Sequence, residues 1–261
     1  MNATFDFTGK VVVVTGGSRG LGLAMVEGFA KAGATVAIAS RKLDACEEVA
    51  RSIRDRGGKA SAHQMHAGRW EDCDRLFEEV KRDWGGADIL INNAGMSPIA
   101  PSSVETSEEL FDKIISVNMK GPFRLCSLFG ADMVGRGGGC IINISSTGSL
   151  RPEFGAAPYD AAKSGVNIFT TTFAQEYGPT VRVNAIAPGP FHTDVSKAWS
   201  RSEAFTRHAK KSIPLGRAGD PPEIVGAALY LASDIATYTS GAMIVVDGGQ
   251  SVGMMPGAFS D

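Results

Sequence analysis

The chain has 261 residues, 43% of them hydrophobic and 21% charged, with a formal net charge of −2. A folded chain of this length buries about three quarters of the surface its unfolded form exposes, so it can hold a core without disulfides or a structural metal, and its composition excludes wholesale disorder. Its basic residues are scattered, which excludes nucleic acid or an anionic membrane surface as the main partner.

Met1 to Lys10 is polar and acidic and carries no secretory signal, and the run Val11 to Val14 is far too short to span a bilayer. Cys46, Cys73, Cys126 and Cys140 have neither C-x-x-C spacing nor clustered histidines, so they read as small buried apolar residues with no metal to bind. A reducing, cytoplasmic setting is expected.

Lys10 to Thr15 predicts a strand, Gly16-Gly17-Ser18-Arg19-Gly20-Leu21-Gly22 a glycine turn, and Leu21, Met25 and Phe29 one face of a helix closed by Gly33. Glycine lets backbone approach a ligand closely, and the free N–H groups of a helix N-terminus suit a pyrophosphate. The spacing is T-G-x-x-x-G-x-G, not the common G-x-G-x-x-G, and a purely steric turn is the alternative. A second strand, Thr35 to Ser40, runs into Arg41-Lys42. An acidic residue at that point binds a 2′-hydroxyl, whereas arginine accommodates a 2′-phosphate. With Arg19 in the turn, the pattern predicts NADP(H); otherwise Arg41 and Lys42 simply open a solvated helix, Leu43 to Arg56.

A third apolar segment, Lys59 to His66, precedes a helix whose Cys73, Phe77, Val80 and Trp84 are expected in the core. A fourth strand, Ile89 to Ile91, ends in Asn92-Asn93-Ala94-Gly95, on the ligand side of a parallel sheet, although Asn-Asn also suits a plain turn. Ser107 to about Val134 reads as helix with Asn118 inside it, where Asn tends to bend the backbone or bond inward. The fifth strand, Cys140 to Ile144, ends at Ser145-Ser146, both candidates at the same edge.

On the next helix, Tyr159 and Lys163 share one face, four residues apart. This sets a phenol with a pKa of about 10 beside a charge that favours its ionised form, although the same spacing is common on ordinary helix surfaces. Phe169, Phe173 and Tyr177 form an apolar packing stripe, for which a subunit interface is one use. A sixth strand, Val181 to Ile186, leads to Pro188-Gly189-Pro190-Phe191-His192-Thr193, a mobile helical segment spans Ser196 to Ser212, Pro221-Pro222 opens a helix, and Ile244 to Val246 is the seventh strand. Strand and helix alternate without a linker, which predicts one α/β domain over residues 1–261. Its architecture is a Rossmann-type doubly wound parallel sheet of about seven strands, with a mobile substrate loop near 190–215.

Thr15-Gly16 with Gly20 and Gly22, Asn92-Asn93-Ala94-Gly95, Asn118, Ser146, Tyr159 with Lys163, and Pro188-Gly189 with Thr193 occur in an order that resembles the short-chain dehydrogenase/reductase family from Val11 to Gly249. The thirteen-residue step to Tyr159 usual in that family selects Ser146 over Ser145. The resemblance implies interconversion of a carbonyl and a secondary alcohol with NADP(H). Tyr159 would be the general acid or base, Ser146 would hold the substrate oxygen, Lys163 would hold the nicotinamide ribose and lower the phenol pKa, and Asn118 would support a water relay. Cofactor contacts are implied at Gly16, Ser18, Arg19, Gly20, Leu21, Gly22, Ser40, Arg41, Asn93, Ala94, Gly95, Tyr159, Lys163, Pro188, Gly189 and Thr193.

The Asp that often contacts adenine in this family is missing from His66-Ala67-Gly68-Arg69-Trp70, which leaves backbone, Arg69 or Trp70 for that role. The family also implies a homotetramer. It implies a pocket shaped by Gly148, Leu150, Arg151, Phe154, Phe191, His192 and Trp199, mainly apolar and fit for a ketone or acyl carbonyl of moderate size. The rival functions are reduction of 3-oxoacyl carrier-protein or coenzyme A thioesters and, in another class, a cofactor-binding regulator without turnover.

Overall fold

The computed structural model describes residues 5–194, 196 and 200–253. The strands are β1 (Val11–Thr15), β2 (Thr35–Ser40), β3 (Lys59–Gln64), β4 (Ile89–Asn92), β5 (Gly139–Ile144), β6 (Val181–Pro188) and β7 (Met243–Val246). They form one parallel sheet in the order β3-β2-β1-β4-β5-β6-β7. The helices are α1 (Gly20–Lys31), α2 (Leu43–Asp55), α3 (Trp70–Trp84), α4 (Glu108–Ile115), α5 (Gly121–Arg136), α6 (Ala157–Tyr177), α7 (Glu203–Ser212) and α8 (Val225–Ala232).

Strand residues alternate between the two faces, and each face carries its own core. Val12, Val14, Val36, Ile38, Ile89 and Ile91 pack with Met25 and Phe29 of α1, Ile53 of α2 and Leu231 of α8. Val13, Ala37, Leu90, Ile141 and Val183 pack with Leu76 and Val80 of α3, Phe129 of α5 and Phe173 of α6. Burial on both faces explains why these strands read as continuous apolar runs. The strand order reverses between β1 and β4, so the turns after them flank the crevice where open α/β sheets bind ligands.

Several boundaries move. β3 stops at Gln64, the partner of Ser40, the last residue of β2; His66 lies beyond it. The helical region expected over Ser107 to Val134 is two helices joined by a π-turn, Ser116–Lys120, with Asn118 in that turn. Of the segment Ser196 to Ser212, α7 is the helical part described, and Trp199 lies outside the described residues. Trp84 is only half-buried and donates from Nε1 to Ser61 Oγ at 3.0 Å, while Leu76 takes a core place on α3.

Part of the aromatic stripe is spent inside the chain. Phe173 and Tyr177 are buried and stacked at 5.3 Å, and Phe123 of α5 lies 5.3 Å from Phe169 and 5.7 Å from Phe173. These rings close the α5–α6 contact, while Phe123 stays exposed and Phe169 half-buried at its outer edge. The four cysteines are free and buried, and burial pushes the Cys73 and Cys126 thiols up to about 12. No helix among the described residues is long and apolar enough to cross a membrane.

Candidate active site

The crevice is built by hydrogen bonds between two strand ends. Thr15 Oγ1 accepts from the N–H groups of Asn93 and Ala94 at 3.0 Å each. Asn93 Nδ2 donates back to the carbonyls of Thr15 at 2.8 Å and Gly16 at 3.3 Å. The turns after β1 and β4 thereby become one unit, held by Thr15, a residue that sequence reasoning had placed only within the motif. A Cβ on Gly22 would lie 2.2 Å from Gly16 O and 2.5 Å from Asn93 Nδ2, and one on Gly16 would lie 2.8 Å from Asn93 Nδ2. These two glycines therefore answer to protein packing as well as to any ligand.

α1 begins at Gly20 with Arg19 extended at its N-cap, no side-chain cap and no acidic residue in its first turn. By contrast, Ser107 caps α4 by accepting from Leu110 N at 3.2 Å. The uncapped positive end of α1 at the crevice fits a bound pyrophosphate. Thr193 reaches the same turn, 3.4 Å from where a Cβ on Gly20 would be. Ser18 Oγ donates to Ser40 Oγ at 3.0 Å, which links the glycine turn to the end of β2.

Arg19, Arg41 and Lys42 are exposed and form no ion pair among the described residues, an open basic corner suited to a phosphate. Leu21 instead packs on the core, so its backbone alone is free for a ligand. Gly95 lies exposed beyond Ala94. Pro188 is buried at the end of β6, and Gly189 follows, bonded to Val246 O at 3.0 Å and packed on Asp247.

The catalytic candidates meet where β5 and α6 converge. Lys163 is 4% exposed, and its Nζ donates to Ile144 O at 2.8 Å and lies 5.8 Å from the Tyr159 ring centroid. Burial alone lowers its pKa to about 8. Burial raises the Tyr159 phenol above its ordinary value; a hydrogen bond from Ser146 acts against this, and the charges of Asp160 and Glu153 add to it. Lys163 is not among the groups that move the phenol. In the cofactor-free protein burial is thus the largest influence on the phenol.

Ser145 and Ser146 are separated by their surroundings. Ser145 is buried and its hydroxyl is committed to Asn167 Oδ1 at 2.6 Å, whereas Ser146 is half-buried and accepts only from Gly148 N at 3.1 Å. Asn118 is fully buried. Its Nδ2 donates to Met96 O at 2.8 Å and Ile114 O at 3.0 Å, and its Oδ1 accepts from Met96 N at 3.1 Å. Every polar atom of that side chain is engaged with backbone, so it shapes the π-turn and fixes Met96 without handing on protons itself. It still lies close to Lys163: a Cβ on Gly95 would be 3.0 Å from Asn118 Oδ1 and 3.6 Å from Lys163 Nζ.

Asp160, between Tyr159 and Lys163 on α6, has a task of its own. It is 4% exposed, its Oδ2 accepts from Glu153 N at 2.9 Å, and its Oδ1 fills the place of a Cβ on Gly148, 2.1 Å from it. It therefore holds the loop after Ser146 against α6. No sequence signal marks it, because Glu153 and Gly148 reach it only through the fold.

The expected pocket wall is also revised. Phe191 is 5% exposed and belongs to the core, with its ring under Gly219. His192 bonds through Nδ1 to Ser200 Oγ at 3.2 Å, while Leu150 and Phe154 face solvent. A cavity of about 420 Å³ beside the loop after Ser146 is lined by polar and apolar groups in equal measure, with Arg151, Glu153 and Lys211 on its wall. Trp70 is engaged by Arg124 at 4.7 Å, Lys120 at 5.8 Å and Phe123 at 6.3 Å, so of the two side chains considered for adenine only Arg69 is exposed and unengaged among the described residues.

A family model described as enoyl-(acyl carrier protein) reductase matches residues 16–251. The chain is 38% identical over 251 residues to 3beta-hydroxysteroid dehydrogenase 1 of Eggerthella lenta, covering 95% of each chain. It is 33% identical over 253 residues to 5-keto-D-gluconate 5-reductase of Escherichia coli, covering 97% of this chain and 99% of that one. Among solved structures, a gluconate 5-dehydrogenase from Burkholderia cenocepacia in complex with NADP and tartrate superposes with a TM-score of 0.92 at 31% identity, covering 96% of this chain and 98% of that one. With its seven-stranded parallel sheet and near-complete coverage of these oxidoreductases, the chain belongs to the short-chain dehydrogenase/reductase family.

Proposed function

We propose that this oxidoreductase interconverts a ketone and a secondary alcohol with NADP(H), using Tyr159 as its acid and base. The observation that carries the reading is the convergence of Ser146, Tyr159 and Lys163 at the β5 edge, with Lys163 Nζ on Ile144 O at 2.8 Å and 5.8 Å from the Tyr159 ring centroid. When bound, the nicotinamide supplies or accepts the hydride.

The chain's own residues manage charge at the substrate oxygen. During reduction that oxygen gains negative charge, and the donors that face it stabilise the transition state. Ser146 donates a hydrogen bond to it and Tyr159 gives it a proton. Burial holds the phenol in its neutral form, the form that carries the proton to be given. Lys163 has three donors and spends one on Ile144 O, leaving two for the cofactor's ribose hydroxyls. Replacing Tyr159 with Phe is expected to lower kcat by about 10²–10⁴ in an NADPH-absorbance assay over a ketone panel; undiminished turnover refutes the assignment.

Preference for NADP(H) is supported by the unpaired Arg19 and Arg41 and by the NADP bound to the Burkholderia relative. Dissociation constants should be at least about tenfold lower for NADPH than for NADH, the scale of one charge-assisted contact. Tighter NADH binding removes this part of the reading.

A further inference from the structure

We propose that Arg151 and Lys211 form an anion subsite for the tail of the substrate, so that the preferred substrates are small ketones carrying an oxyanion group. This rests on the carbonyl-reductase reading and names the substrate class of that same site.

The cavity of about 420 Å³ lies between the loop after Ser146, the end of α7 and the turn after β7. Thr147 on its wall directly follows Ser146, and Glu153 on the same wall is tied through its N–H to Asp160, the neighbour of Tyr159. The cavity therefore shares a wall with the catalytic loop, and its size is at the small end of ligand pockets.

Arg151 is held in place by the turn it faces. Its Nη1 donates to Gln250 O at 3.2 Å and Ser251 O at 3.3 Å. Asp247 fixes that turn by accepting from Gly249 N at 2.8 Å and Ser251 N at 2.6 Å, so its charge is spent on backbone. The guanidinium is thus ordered in advance while its other N–H groups remain available, which reduces the entropy lost on binding.

Lys211 lines the opposite side from the last turn of α7 and makes no ion pair among the described residues. Glu153 is the one carboxylate on the wall, and no ion pair joins it to either cation among the described residues. Two cations against one carboxylate leave the wall of this small cavity with a net positive charge, which favours a carboxylate or a phosphate. The tail is bound and left unchanged; the carbonyl carbon gains the hydride and its oxygen the proton.

The test compares charged and neutral partners: 4-oxopentanoate with its isostere 4-oxopentanamide, and dihydroxyacetone phosphate with dihydroxyacetone, which lacks the phosphoryl group. Lys211→Gln breaks no described hydrogen bond, and Arg151→Lys keeps the charge. With the wild type, kcat/KM for the preferred anion should exceed that of its neutral partner at least about tenfold. Lys211→Gln should lower the anion's value about 10- to 100-fold through KM, leave the neutral partner unchanged, and make wild-type and variant converge at high salt. Arg151→Lys should retain part of the preference. The pair that shows the preference identifies the tail as carboxylate or phosphate.

Calorimetric titration of the same four probes reads the subsite without turnover. Tighter anion binding that Lys211→Gln abolishes keeps the subsite even if no ketone is reduced, in which case only the catalytic reading fails. Equal or undetectable binding of charged and neutral partners overturns the proposal, as does an equal effect of Lys211→Gln on both.

Discussion

The two halves of the site solve different problems. At the β1/β4 edge, Thr15, Asn93 and the glycines interlock through neutral hydrogen bonds and close contacts, with no ionisable side chain among the interlocking groups. At the β5/α6 edge, Lys163 and Asp160 are withdrawn from water and Tyr159 half-withdrawn, and burial displaces the pKa of all three. The first edge is organised for shape. The second holds chemistry at a cost in stability, as expected where a protein tunes acids and bases.

The contrast can be broken most forcefully at Gly22. Its replacement by Ala drives a Cβ to 2.2 Å from the backbone oxygen of Gly16, which cannot yield, and to 2.5 Å from Asn93 Nδ2, whose bonds to Thr15 O and Gly16 O hold the two turns together. A loss of about 3 kcal/mol in denaturant unfolding is expected, together with weakened cofactor binding. Unchanged stability would show that the β1/β4 edge is softer than its contacts imply.

At the other edge the sign reverses. Burial sets the Lys163 ammonium at about 8 in the fold, against about 10.5 when unfolded, so its charged form disfavours folding. This penalty is fully present below pH 8 and is relieved as pH rises through the window from about 8 to 10.5, where the unfolded chain binds more protons. The shift corresponds to about 3 kcal/mol, less about 1 kcal/mol for the lost bond to Ile144 O. Lys163→Met should therefore raise the melting temperature of the cofactor-free protein at pH 7 by about 5 °C, with the gain shrinking toward pH 10. A variant less stable at pH 7 than the wild type would contradict this.

The smallest effect is expected at Asp160. Asp160→Asn keeps an acceptor for Glu153 N but removes a charge that raises the Tyr159 phenol, so the limb of the kcat/KM pH profile governed by the phenol should move to lower pH. Asp160→Ala leaves Glu153 N without its acceptor and should raise KM several-fold through the loosened loop. An unmoved pH profile in Asp160→Asn would reduce Asp160 to a purely mechanical tie.

Sequence alone located the seven strands, most firmly where doubly buried apolar runs such as β1, β2 and β4 leave little choice, and less firmly at β3, which has no β-branched residue and ends two residues early. The residues alone left Ser145 and Ser146 both open; the step to Tyr159 usual in the resembled family pointed to Ser146, and the fold commits the buried hydroxyl of Ser145 to Asn167. What the sequence left undecided depended on partners distant along the chain. The order of the strands, and hence the crevice between β1 and β4, came from pairings across the fold. The π-turn at Asn118 needed Met96, and the role of Asp160 needed Glu153 and Gly148. Arg151 met Gln250 and Ser251 about a hundred residues later, opposite Lys211. Local pattern records which face of a strand or helix is apolar; burial, displaced pKa values and the charge of a cavity are set by neighbours that only the tertiary structure brings together.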